Sequence, residues 1–198
     1  MNPILWQPST ERRATANITR FMKWVSAFYG FDVPDYAELY RWSIENPAAF
    51  WGFLWDFAEI KAGRKGDNIS VDGNLMPGAG WFPDARLNYA ENVLRPFDNR
   101  HFAVSFRNER GETRRLSYKE LYSQVSQLAQ ALRNDGIQAG DRVVGVLPNL
   151  PETLIAMLAT ASLGAIWSSC SPDFGVLGIV DRFSQISPKV LFVCDGYS

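Results

Sequence analysis

The sequence predicts an α/β protein, with a helical, Trp-rich N-terminal cap followed by a β-hairpin and parallel βαβαβ layers. Three observations predict this fold. Apolar residues recur at helical spacing through much of the first hundred residues. Two strand-like runs then flank the turn sequence ERGE, which is typical of a hairpin. Beyond them, the short runs RVVGVL, AIWSS and KVLFVC alternate with helix-length segments, as parallel strands joined by right-handed crossovers do.

The first hundred residues are predicted to form the helical cap, without a sheet of its own. Asn17–Tyr29 places apolar residues on one helical face, and Gly30 is expected to end that helix. This face is made by Ile18, Phe21, Met22, Val25 and Phe28. Asp35 is the expected cap of a second helix, and Pro47 suits the first turn of a third.

Six of the seven tryptophans fall in this cap region. We expect its large aromatic side chains to supply a core and a docking surface rather than a ligand box. A short helix is predicted over Leu87–Leu94, ended by Pro96. The predicted domain boundary lies between residues 100 and 101, where the pattern changes to strands.

Residues 101–198 are predicted to be the first part of a larger domain, opening with a hairpin and a long helix. Gly111 is expected in the left-handed position of the hairpin turn. Ser117 and Glu120 form the capping-box pattern that begins the helix, and Gly136 suits its end. The apolar face of this helix comprises Leu121, Val125, Leu128 and Leu132.

The remaining segments predict three parallel strands covered on both faces. Asn149 and Pro151 are expected to open the helix after RVVGVL, and Gly164 to end it. A later helical face contains Ile179, Val180, Phe183 and Ile186. No helix follows the last strand, which indicates a truncated domain. Such a domain should expose apolar strand surface, so we expect self-association, or an edge covered by a neighbouring molecule.

Composition excludes several function classes. With 20 basic and 21 acidic residues and a formal net charge of −1, the chain lacks the positive field used to bind nucleic acid or a membrane surface. Two cysteines without a CxxC, and one histidine, argue against a disulfide framework and a zinc site and favour reduced thiols in a cytoplasmic protein. Thr153–Pro172 carries no charge, but its serines and Gly164 favour a buried helix and strand over a membrane span.

Ligands of open α/β sheets bind at the carboxyl ends of the strands, and two such segments are informative. They are Pro148–Glu152, after RVVGVL, and Ser168–Gly175, after AIWSS. The second segment allows two interpretations. Either Ser171 caps a helix with Pro172 at its first position and Asp173 complementing its dipole, or these residues contact a ligand such as a phosphate.

No residue pattern assigns a reaction. The chain has no G-x-S-x-G elbow and no P-loop, and nothing places His101 beside the serines at the strand end. Its carboxylates do not predict a metal-ligand cluster. We therefore expect neither a catalytic residue nor a metal site within this chain.

Several phrases nevertheless resemble one family. They are WFPDARLNYAEN (81–92), the order GDRV, PN.PE and GA within 140–165, and SSCSPDFG (168–175). Together they resemble the N-terminal part of the acetoacetyl-CoA synthetases, in the acyl-adenylate-forming superfamily. The resemblance covers essentially the whole chain and implies the first part of an AMP-binding (adenylation) domain.

The resemblance implies a ligase that forms acetoacetyl-CoA from acetoacetate, ATP and CoA through an acyl-adenylate, with Mg²⁺. In related enzymes the loop after this strand approaches the CoA nucleotide, which implies cofactor-binding roles for Ser171, Pro172 and Asp173. The family's phosphate loop and adenylation lysine are absent here, so the chain alone is expected to be inactive, with no tightly bound cofactor. Alternatives are a non-catalytic interaction or oligomerisation module, or a ligase for another short-chain acid.

Overall fold

The computed structural model describes residues 5–95 and 101–196. The chain divides into two compact units, Met1–Arg86 and Leu87–Ser198. The boundary predicted after residue 100 adjoins a segment outside the described residues and stays a prediction. Pro96, the predicted end of the short helix, also lies outside them.

The first unit is helical, and its helices begin and end where local chemistry predicts. They are α1 (Thr10–Thr15), α2 (Asn17–Tyr29), α3 (Tyr36–Glu45) and α4 (Pro47–Phe57). Gly30 ends α2 in the left-handed conformation, with φ of 73°. The Asp35 carboxylate caps α3 by accepting a hydrogen bond from the Glu38 N–H at 3.0 Å. Pro47 occupies the first turn of α4, as predicted.

Phenylalanines, rather than tryptophans, fill the core of this unit. The ring of Phe21 is buried and contacts Phe50, Phe53 and Phe57, with ring centroids 5.1–5.8 Å apart. Among the described tryptophans of the unit, only Trp42 is buried. Large aromatic side chains therefore do supply a core, as expected, whereas the other described tryptophans of the unit keep part of their surface in solvent.

The expectation that this region lacks a sheet is wrong. The strands β1 (Ser70–Val71) and β2 (Gly80–Trp81) pair antiparallel, with Ser70 opposite Trp81. Each strand has only two residues, too few to show the alternation by which a strand is recognised in sequence. The ribbon packs beside α4, because the ring of Trp81 lies 5.9 Å from that of Trp51.

The second unit opens with a short helix, a hairpin and a long helix. They are α5 (Tyr89–Val93), the antiparallel strands β3 (Phe102–Arg107) and β4 (Thr113–Ser117), and α6 (Tyr118–Asn134). Gly111 has the predicted left-handed conformation in the turn, with φ of 82°. Ser117 and Glu120 form both hydrogen bonds of the predicted capping box, and Gly136 follows α6 with φ of 81°.

A three-stranded parallel sheet completes the unit. Its elements are β5 (Arg142–Val146), α7 (Pro151–Ser162), β6 (Ile166–Cys170), α8 (Gly175–Ser184) and β7 (Val190–Val193). The strand order is β6-β5-β7. Val143 packs in the cluster that includes α6 and α7, and Val144, on the other face, packs against Phe183 of α8. Helices therefore cover the central strand on both faces.

The edge strands differ from the expectation of full coverage. Ile166 on β6 and Leu191 and Val193 on β7 are exposed, whereas Val143 and Val144 on β5 are fully buried. An apolar run thus marks a strand, but it does not distinguish a central strand from an edge strand. In the described part of the chain, no helix is long and apolar enough to cross a membrane.

Candidate ligand-facing edge of the parallel sheet

The carboxyl ends of the three parallel strands lie at one edge of the sheet. Val146, at the end of β5, pairs with Cys170 of β6 on one side and Val193 of β7 on the other. The Leu147 N–H donates to the Cys170 carbonyl at 3.3 Å, just beyond the ladder. The segments 147–150 and 171–174 therefore leave the sheet side by side. We call them, with the strand ends, the ligand-facing edge, because ligands of open α/β sheets bind at this position.

Ser171 and Asp173 form a closed hydrogen-bonded turn at this edge. The Ser171 hydroxyl accepts from the Asp173 N–H at 3.3 Å and donates to the Asp173 carboxylate at 2.7 Å. Ser171 is an N-cap, in agreement with the first of the two interpretations, but it caps a three-residue 3₁₀ turn, Pro172–Phe174, instead of a helix running onward. The helix α8 begins separately at Gly175, whose φ of 66° and ψ of 165° turn the chain between the two elements.

In this geometry, the Ser171 hydroxyl forms its hydrogen bonds within the turn. A phosphate brought to the turn would also meet the carboxylate of Asp173, which repels it. Pro172 presents a half-buried ring rather than a donor, since proline has no N–H. The three residues thus shape the edge, while a ligand contact through them remains a prediction.

Phe174 and Arg182 form a second feature of this edge, which sequence reasoning missed. The Arg182 guanidinium lies 4.6 Å from the centroid of the exposed Phe174 ring, a cation–π contact. Eight positions along one continuous helix would separate the two residues by about 12 Å. The chain turns at Gly175, so Phe174 and Arg182 do not lie on one continuous helix, and helical spacing in the sequence could not have shown the pair.

The turn between β5 and α7 is held by two contacts. The Thr153 hydroxyl donates to the Pro148 carbonyl at 2.8 Å, and Glu152 forms an ion pair with Arg114 of the hairpin strand β4. Pro151 begins α7, as expected, but Leu150 rather than Asn149 is the N-cap residue, and it provides no side-chain cap. The Arg114 contact ties the hairpin to the ligand-facing edge.

The other candidate hydroxyls lie within the sheet. Ser168 and Ser169 are in β6, opposite Val144 and Gly145 of β5, so their side chains point to opposite faces. Cys170 is buried, and both cysteines are free thiols. Ser168, Ser169 and Cys170 therefore lie within β6 and not in the loop that follows it.

Asp141 stabilises the opposite, amino-terminal edge of the sheet. Its carboxylate accepts from the Lys189 ammonium and from the Gln138 N–H, each at 2.8 Å. These hydrogen bonds hold the pKa of Asp141 below its ordinary value, with the bond from Lys189 the larger cause. Asp141 therefore joins the start of β5 to the start of β7, away from the ligand-facing edge.

Comparison with known proteins shows which families this chain resembles. Residues 91–198 match the family model "AMP-binding enzyme", and residues 36–93 match "Acetyl-coenzyme A synthetase N-terminus". The acetoacetyl-coenzyme A synthetase of Rhizobium meliloti (strain 1021) is 47% identical over 98% of this chain and 29% of its own length. A malonamoyl-CoA synthetase from Penicillium aethiopicum is 38% identical over 96% of this chain and 27% of its own length.

A solved structure shows the same fold. The acetoacetyl-CoA synthetase from Streptomyces lividans matches with a TM-score of 0.91 and 42% identity, covering 100% of this chain and 31% of that one. The chain thus spans less than a third of the length of these relatives.

Proposed function

We propose that this chain, which belongs to the AMP-binding enzyme family, supplies the first part of a ligase that makes acetoacetyl-CoA. The whole ligase joins acetoacetate to AMP from ATP, releasing pyrophosphate, and the CoA thiol then displaces AMP. The observation that carries this proposal is the 47% identity to an acetoacetyl-coenzyme A synthetase over nearly the entire chain.

Within this proposal, the ligand-facing edge forms one wall of the CoA nucleotide site. Ser171 and Asp173 hold the turn through their mutual hydrogen bonds, and Pro172 offers an apolar surface. Arg182, fixed over the Phe174 ring, supplies the positive charge that a CoA phosphate requires. No residue of this chain is assigned a bond-making step.

In this proposal, Mg²⁺ binds only together with ATP. Among residues 5–95 and 101–196, no group of three or more His, Cys, Asp and Glu side chains is placed to hold a metal ion. The carboxylates of Asp141 and Glu152 are occupied by Lys189 and Arg114. No residue described here is therefore assigned to the metal. A cytoplasmic location, where ATP and CoA are available, is part of the same proposal.

A graft tests whether this chain can serve as the first part of the ligase. The matching segment of the Rhizobium meliloti enzyme is replaced by this chain, and AMP formation is measured with acetoacetate, ATP, Mg²⁺ and CoA. We expect CoA-dependent activity from the graft and background pyrophosphate release from the 198-residue chain alone. A graft that folds but forms no acyl-adenylate would contradict the proposal.

A separate measurement on the same graft tests the proposed role of Arg182 in CoA binding. Arg182→Gln should raise the KM for CoA while leaving adenylate formation, measured by pyrophosphate exchange without CoA, unchanged. Arg133→Gln, which removes an exposed cation from α6, is the matched control. An unchanged KM for CoA would remove Arg182 from the site without affecting the ligase proposal.

A second candidate is a ligase for another short-chain acid, favoured by the relative named as a malonamoyl-CoA synthetase. The two candidates are compared by measuring the graft with acetoacetate, malonamate, acetate and butyrate. If this segment does not influence which acid is used, the graft should accept the same acids as the Rhizobium meliloti enzyme into which it was placed. A shift toward malonamate would favour the second candidate.

A further inference from the structure

The helical unit contains a cavity that the proposed ligase does not use. It lies among α2, α3 and α4 and has a volume of about 300 Å³. This volume is at the lower end of the range for small-molecule sites. The wall is formed by six apolar side chains: Ile18, Phe21, Leu39, Phe50, Leu54 and Phe57.

Two tyrosines and two small polar residues complete the lining. The rings of Tyr36 and Tyr40 are stacked, with centroids 6.4 Å apart and an interplanar angle of 25°, and both are exposed. The Ser43 hydroxyl donates to the Tyr40 carbonyl at 2.7 Å and is therefore satisfied within its own helix. The cavity suits a ligand with an apolar body, because most atoms of its wall can form no hydrogen bond.

A cation is held beside this cavity. The Arg20 guanidinium lies 5.7 Å from the centroid of the Phe57 ring, and its Nη1 donates to Asn17 Oδ1 at 3.2 Å. Phe57 and Asn17 both line the cavity, so Arg20 is fixed at its rim by two lining residues. Within the described ranges 5–95 and 101–196, no carboxylate lies within 4.0 Å of the Arg20 nitrogens. Its charge therefore has no ionic partner there.

We propose that this cavity binds a small carboxylate with an apolar body. The apolar body lies among the rings and aliphatic side chains of α2, α3 and α4, and the carboxylate pairs with the Arg20 guanidinium. A carboxylate suits this position because a guanidinium donates two parallel hydrogen bonds to its oxygens. An amine of the same shape would be repelled by the same charge. The inference is independent of the proposed ligase function.

The test compares three probes that share one chain and differ in the head group. Octanoate, octanol and octylamine are titrated into the 198-residue protein by isothermal calorimetry. The tryptophan fluorescence of the protein gives a second signal, because one of its tryptophans, Trp24, has its ring 5.4 Å from that of Phe57. Octanoate should bind with one-to-one stoichiometry and at least tenfold more tightly than octanol, and octylamine should bind more weakly than octanol. Affinities that are equal across the three probes would overturn the proposal.

Variants distinguish the contribution of the Arg20 charge to binding from that of the apolar cavity. Arg20→Gln should reduce octanoate binding to the level of octanol, while Lys23→Gln, which removes another exposed cation of α2, should leave it unchanged. Ser43→Leu should narrow the cavity and weaken binding of octanoate and octanol alike. Ile18→Trp, at an exposed lining position, repeats this test if Ser43→Leu does not fold. Octanoate binding that is unchanged in a folded variant with a narrowed cavity, or unchanged by Arg20→Gln, would overturn the assignment.

Discussion

Replacing Gly145 by alanine should destabilise the parallel sheet by about 1–2 kcal/mol. Gly145 lies in the central strand, and a Cβ there would stand 2.8 Å from Cη2 and 2.9 Å from Cζ2 of Trp167, and 3.1 Å from Cδ1 of Leu147. Carbon atoms pack at roughly 3.5–4.0 Å, so the indole would have to move by about 0.7 Å or more. Phe192 opposes this movement, because its ring lies 6.2 Å from that of Trp167.

The magnitude follows from two opposing effects. Inserting a methyl group into a packed site costs about 1–3 kcal/mol, and alanine recovers about 0.5–1 kcal/mol through its smaller loss of backbone entropy. Urea unfolding followed by far-UV circular dichroism measures the difference. Gly178→Ala is the control: its Cβ would make only an ordinary contact, 3.7 Å from Cβ of Phe174, and alanine should stabilise α8 by up to about 1 kcal/mol.

A double-mutant cycle with Trp167→Leu identifies the cause. The shorter side chain removes the indole edge and leaves only the 3.1 Å contact with Leu147, so adding Gly145→Ala in that background should cost clearly less. The reasoning is refuted if Gly145→Ala is neutral in the natural protein, or if it destabilises both backgrounds equally.

Three further predictions concern other parts of the second unit. Ser117→Ala should lower the free energy of unfolding by about 1 kcal/mol, because its hydroxyl accepts from the Glu120 N–H at 3.2 Å; an unchanged urea midpoint would contradict this. The pKa of Asp141 is lowered in the folded protein, so its stabilisation is complete above about pH 4 and is lost as pH falls through the folded pKa. Asp141→Asn should therefore reduce stability at pH 7, and its difference from the natural protein should shrink at pH 2 to 3 in matched urea titrations. The exposed apolar face of α8 should promote self-association, and replacing both Leu177 and Val180 by glutamate should reduce it; sedimentation that shows a monomer at every concentration would be evidence against this.

The sequence predicts most elements of the second unit because their signals are local. The capping box at Ser117, the glycine turns at Gly111 and Gly136 and the proline at the start of α7 each act within a few residues. These residues determine backbone geometry regardless of what packs around them. For this reason the predicted order of hairpin, helices and strands agrees with the structure.

Features that depend on distant residues were not predictable in the same way. The ion pair between Arg114 and Glu152 joins residues far apart in sequence, and the contact of Arg182 with Phe174 depends on the turn at Gly175. No periodicity encodes either contact. The three predicted site residues illustrate the limit, since sequence correctly located Ser171 as a cap and the resemblance suggested a ligand. The hydrogen bond to Asp173, which commits that hydroxyl to the turn, emerges only from the folded loop.

The strand order β6-β5-β7 has a consequence for how the sheet assembles during synthesis. The central strand leaves the ribosome first of the three, and it has no ladder partner until residues 166–170 follow. The second flank stays unpaired until residues 190–193 emerge, so the sheet grows outward from its middle. Before β7 has emerged, the buried valines of β5 have only one strand beside them. Chaperone binding to nascent chains should therefore be strongest after β5 is exposed and should fall when β7 becomes available.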